Sequence, residues 1–286
     1  VLTVTTGDLT LATTSSNTQT IGGNALMSVL SGSFLSSSKV TTTSGHLTVS
    51  ASQDVALSDL SGALNSSDVK DVVIEAGRDV LMTTSTAVTT ASGGGIQVSA
   101  GRNLALGRLS TGTTGWVSVS AVGDITDANG STNNVVAART AMQSSAGIGV
   151  ASNYLEIQTT RLAAQSVSGQ YFGQSLGTSG VTVDTFSHGF NRVSTSGASQ
   201  LGTAVVQDDL IASNGDVVLR VSTGNIVLND GDGANGKAVQ AGGSGRVFLT
   251  ASSGAVQIRS DVLTVTGSIT IDASGNITVG EVGAAG

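Results

Sequence analysis

One short unit recurs along this chain and limits what it can fold into: a glycine, one small or polar residue, then an apolar–any–apolar triplet. It occurs as TGDLTL from Thr6, SGHLTV from Ser44, NGDVVL from Asn214, TGNIVL from Thr223, SGRVFL from Ser244, SGAVQI from Ser253, TGSITI from Thr266 and SGNITV from Ser274. An apolar period of two, carried by Val, Ile, Leu and Thr, is the pattern of a short half-buried strand. It predicts Val217 and Leu219 pointing inward and Val218 outward. Each glycine reads as a tight turn, where the missing Cβ permits positive φ. Helix is disfavoured because Thr, Val, Ser and Gly dominate; only 133–147 reads as less regular.

Spacing separates a stack of coils from a sandwich of sheets. The corner glycines fall in pairs 7 to 9 residues apart, among them Gly94 with Gly101, Gly115 with Gly123, Gly215 with Gly224, Gly245 with Gly254 and Gly267 with Gly275. Corresponding glycines of successive pairs lie 21 and 22 residues apart in the first group, and 30 and 30, then 22 and 21, in the second. A coil of this length with two short sides and one variable side is what a parallel β-helix requires, because insertions can loop out at one corner without disturbing the stack. The expected fold is therefore all-β, a right-handed parallel β-helix (solenoid) with loop insertions on one side. It is expected to run as a single continuous body over 1–286, with a less regular, insertion-rich stretch at about 128–212. Roughly a dozen rungs about 4.8 Å apart would make a rod on the order of 60 Å long. An immunoglobulin-like sandwich would use proline turns and aromatic core residues; this chain has no proline and is 3% aromatic.

Composition removes several functions. Only Lys39, Lys70 and Lys237 are lysines, and the net charge is −7, so no clustered basic surface exists for nucleic acid. The 77 serines and threonines must supply most of the solvated surface. Without cysteine there are no disulfides, thiolate metal sites or cysteine catalysis. No run approaches the roughly 18 apolar residues of a membrane span, so none is expected in this segment. The chain begins at Val1 without a basic-then-apolar signal segment and is expected to be a piece of something longer. VLTVT at Val1 recurs at Val262, either by long-period repetition or by chance in so Val- and Thr-rich a sequence.

From Gly123 to Phe172, and more loosely along nearly the whole chain, the residues resemble the filamentous-haemagglutinin-like class of giant repetitive bacterial surface and secreted proteins. The likeness lies in GNI and GDL strand starts, in GIG followed by LE (Gly147 to Glu156), and in the Thr/Ser/Val/Gly bias. The resemblance implies secretion to the bacterial cell surface and a β-helical shaft in an adhesin or extracellular filament. Partners would be other copies stacked end to end, the remainder of a longer chain, or a cell-surface glycan or protein. The export domain usual at the N-terminus of that class is not recognisable here.

The alternative function is a carbohydrate-binding or carbohydrate-cleaving β-helix. Its best acidic pair, Asp208 with Asp209, lacks the downstream motifs of polygalacturonase-like enzymes, and neighbours on a strand face opposite ways. Such an enzyme predicts Asp184, Asp208 and Asp216 converging on one groove. The loop NDGDGANG reads first as a solvated acidic turn, and secondly as a structural calcium site formed by Asp230, Asp232 and Asn235. No other cofactor is expected. Tyr171, Phe172, Phe186 and Phe190 cluster in sequence and would either close an opening in the coil or form a recognition patch on a side loop of 168–200. His46 and His188 stand too far apart to suggest a metal site. Gly93 to Gly95 reads as a corner, and the sequons at Asn65 and Asn276 are compatible with glycosylation.

Overall fold

The computed structural model describes residues 1–12, 18–58, 64–66, 69–174, 180–231 and 235–280. These form strands and turns with no helix, in parallel sheets stacked as a β-solenoid of about 11 turns. The chain divides into two compact units, Val1–Ala138 with His188–Val205, and Arg139–Ser187 with Val206–Gly286.

The first unit has three strands to a coil. Its first side stacks Leu2–Val4, Ala25–Val29, Leu47–Ala51, Val72–Ala76, Gly95–Ala100 and Trp116–Ala121, all parallel and in register. Inside the coil this register makes columns of like residues. Met27, Val49, Ile74, Val98 and Val119 form one, and Val29, Ala51, Ala76, Ala100 and Ala121 another, all buried. The second side adds Phe34, Val55, Val80, Leu104 and Ile125. A narrow interior filled by slim aliphatic side chains explains why so little aromatic volume is needed.

Three strands per coil recur in the second unit. One coil is Leu210–Ala212, Val217–Val221 and Asn225–Leu228, and the next is Lys237–Ala241, Val247–Ala251 and Val256–Ile258. As the alternation predicts, Val217 and Leu219 are at 0% exposure; Val218, on the outer face, is also largely covered, at 7%. The variable corner follows Gly180–Val183 and its counterpart Asn225–Leu228. The chain takes a long excursion there before Leu210 and a short one at 229–236, yet it passes from Ile258 almost directly to Asp261 in the next coil.

The glycines do a different job from the one expected. Of the eight in the recurring unit, only Gly7 and Gly224 have positive φ. At the others the constraint is the neighbouring rung: a Cβ on Gly245 would run into the carbonyl oxygen of Gly215, one on Gly267 into that of Gly245, and one on Gly254 into that of Gly224. Stacked corners bring backbone against backbone, and only hydrogen fits between them.

Candidate functional site

Polar residues at one corner of successive coils have a structural role that reading one repeat at a time does not reveal. Asp8 Oδ1 accepts the N–H of Ser33, one rung on, at 2.8 Å, and Ser33 Oγ accepts that of Asp54 at 3.4 Å. Asp54 Oδ1 accepts the Asp79 N–H at 3.1 Å, Asp79 Oδ1 the Asn103 N–H at 3.0 Å, and Asn103 Oδ1 the Asp124 N–H at 3.1 Å. One column of side-chain oxygens thus ties six rungs of the first unit together. Arg78 also grips Asp54 through Nε and Nη2, at 3.1 and 2.8 Å, and Arg102 grips Asp79 the same way. The hydrogen bond from Arg102 is the main reason the Asp79 carboxyl sits low, at about 2. The second unit repeats the device where Asp216 accepts the Arg246 N–H and Asn225 accepts that of Ala255, both at 2.8 Å.

His46 belongs to a second such column. Its N–H is capped by Asn24 Oδ1, and its Nδ1 accepts the Asp71 N–H at 3.0 Å. A nitrogen that accepts carries no proton, so the 3.8 Å approach of Asp71 Oδ2 to this Nδ1 is not an ion pair.

A hairpin lies on the first side of the first unit. Asn191–Val193 pairs antiparallel with Ser199–Leu201. Asp71 Oδ2 accepts from the Asn191 backbone N–H at 2.7 Å and from its Nδ2 at 3.2 Å, Arg192 pairs with Glu75 at 2.8 Å, and the Val193 N–H reaches Thr48 Oγ1 at 2.8 Å. The His188 ring packs against Trp116 at a tilt of 54°, with ring centroids 4.7 Å apart. Outward residues that would otherwise face water, Thr48 and Val73 among them, have no exposed surface.

The aromatic residues grouped in sequence are not grouped in space. Phe172 points into the coil, Phe186 and Phe190 are buried, and Phe190 belongs to the first unit while the other three belong to the second. Tyr171 is half-buried on the outer face of the second unit, beside partners from distant rungs. Register aligns Tyr171 with Val218, Val218 with Phe248, and Gly173 with Arg220. Tyr154 approaches Tyr171 edge-on at 6.0 Å. The Arg220 guanidinium lies 4.7 Å from the Tyr154 ring centre and 5.4 Å from that of Phe248. At one end of this groove of about 250 Å³, Asp216 binds Arg246 at 3.0 Å and accepts from the Tyr171 hydroxyl at 3.3 Å. Burial opposes ionisation of Asp216, but the bonds from Arg246 outweigh it and hold its pKa low.

The acidic residues separate into two places. Asp184, Asp208, Asp209 and Asp230 gather at the variable corner of the second unit, whereas Asp216 belongs to the aromatic groove. A Cβ on Gly231 would touch both Thr185 and Asp208. Asp184 binds Arg161 at 3.4 Å. Asp209 is fully buried in a left-handed conformation, φ 57°, and accepts from the Gly231 N–H at 3.2 Å and Asn235 Nδ2 at 3.0 Å. Burial pushes its pKa up to about 6, against these bonds and with help from the charges of Asp208 and Asp230. Of the calcium set, Asp230 Oδ2 accepts the Gly236 N–H and Asn235 Oδ1 the Lys237 N–H, while Asp232 lies outside the described residues. Among the described residues no group of three or more His, Asp or Glu side chains is arranged to hold a metal ion. Nor is any helix long and apolar enough to cross a membrane.

No family model, curated protein or solved structure matches the chain.

Proposed function

We propose that this chain is a structural shaft segment of a secreted bacterial adhesin or extracellular filament. The observation that supports it most is the column from Asp8 to Asp124, in which a polar side chain on each rung is spent on holding the next. Parallel coils otherwise rely on backbone bonds and apolar burial, and a capped corner on each turn resists peeling from its edge. The salt bridges at Asp54 and Asp79 serve the same contact between rungs. A Ser- and Thr-rich surface of low charge suits a segment that spaces other parts of a protein.

Electron microscopy of the exported material, averaged at rung resolution, tests this reading. A shaft gives elongated particles or filaments outside the cell with an axial repeat of about 4.8 Å. Material confined to the cell interior, or compact isolated particles, would overturn it.

A further inference from the structure

We propose that the groove on the outer face of the second unit binds a carboxylated sugar, with Arg220 as the carboxylate anchor. The chain has eight aromatic residues. Trp116, Phe34, Phe172, Phe186 and Phe190 are buried; the remaining three, Tyr154, Tyr171 and Phe248, all line this one groove. Chance scatter over so large a surface would not gather every half-buried ring of an aromatic-poor chain in one place, and a cluster of partly accessible rings is a mark of recognition. In the first unit the outward positions of the equivalent sheet are Leu35, Ala56, Leu81, Ala105 and Thr126, with no ring among them.

The cation at the centre defines the ligand's charge. Arg220 is exposed and held against two ring faces, and among the described residues no ion pair or side-chain hydrogen bond reaches it. A guanidinium positioned in this way keeps its planar fork of donors free and has already lost much of its rotamer freedom, which suits two-point binding of a carboxylate. The second arginine lining the groove, Arg246, is neutralised by Asp216, so among the lining residues Arg220 is the cation without a carboxylate of its own; Glu156 and Asp272 stand two rungs away in the same outward column. Val218 and the rings offer apolar surface to the C–H face of a sugar, and Ser268 and Thr270 place hydroxyls at the margin for its hydroxyl groups. A groove of this size admits one sugar residue of a longer chain. The proposal stands apart from the shaft reading and does not depend on it.

Titration calorimetry of the intact chain with tri-galacturonic acid, its methyl ester and a glutamate-rich peptide tests the proposal. The acid is expected to bind saturably, with the ester and the Arg220→Gln variant each at least tenfold weaker. Arg220→Lys should fall between them, and Arg259→Gln, bonded to Gln257 instead of the aromatic groove, should bind as wild type. On the wild-type protein alone, the acid should shift the ring resonances of Tyr154, Tyr171 and Phe248, which keeps the test sound if a variant fails to fold. No binding of the acid at millimolar concentration, equal binding of the ester, an unaltered Arg220→Gln variant, or a preference for the peptide would each overturn it.

Discussion

At the scale of single residues, two aspartates with opposite pKa shifts give opposite pH dependences. Asp79, held near 2, is favoured in its ionised form by folding, so its contribution is complete above the unfolded carboxylate range and disappears as pH falls from about 4 towards 2. Asp79→Ala should cost about 1–2 kcal/mol at neutral pH, by leaving the Asn103 N–H and the Arg102 guanidinium without it, and the loss should vanish near pH 2 in denaturant melts. Asp209 behaves in reverse. Its pKa of about 6 lies above the unfolded value, so its stabilising share is complete below about pH 4 and is lost as pH rises through 6. Asp209→Asn keeps an oxygen for Gly231 and tolerates the left-handed backbone, so at pH 7 it should be neutral or stabilising by about 1 kcal/mol and should flatten the dependence of stability on pH between about 4 and 6. Asp209→Ala should destabilise instead. A melting temperature of Asp209→Asn that still changes with pH in the wild-type manner would exclude this assignment. The polar residues at these corners were visible in the sequence, but their role was not, because the accepting oxygen and the donating N–H are 21 to 30 residues apart.

Elements made of very short strands depend on how closely successive corners approach. Gly245→Ala places a methyl group against the Gly215 carbonyl and should cost about 1–3 kcal/mol, while Gly22→Ala, with open space at its Cβ and no positive φ, should be nearly silent in the same unfolding assay. Equal effects would mean that rung contact is not what selects glycine. The hairpin over the first unit makes a separate prediction through Trp116, the sole tryptophan. Removing the hairpin's polar anchors with Asp71→Ala and Glu75→Ala should loosen it, shift Trp116 emission to the red as His188 leaves the ring, and open 189–202 to proteolysis. Unchanged emission would show that the apolar contacts of Phe190 and Val193 hold the hairpin unaided. Strands and corners were legible because their signals are local. The hairpin was not, because Asn191 and Arg192 look like ordinary loop residues until Asp71 and Glu75, more than a hundred positions earlier, are placed beneath them.

For the molecule as a whole, glycine spacing was enough to distinguish stacked coils from a sandwich, since period and variable corner are properties of the chain's length between repeats. The aromatic groove was beyond its reach. Tyr171 stood out only for its neighbour Phe172, which the alternation of a strand turns to the opposite face, whereas the true companions of Tyr171 come from other rungs at positions 154, 220 and 248. Sequence proximity is a poor guide to adjacency in a solenoid, where the nearest residue in space lies one coil away. The same architecture defines how a shaft must fail under load, because each coil contacts only its neighbours. Pulling the chain between tethers at its two ends in an optical trap tests this most directly. The proposed role predicts stepwise extension, each step releasing one coil or a few, about 21 to 30 residues and roughly 70–100 Å of chain apiece for most coils. A single collapse of the whole chain at low force would contradict it.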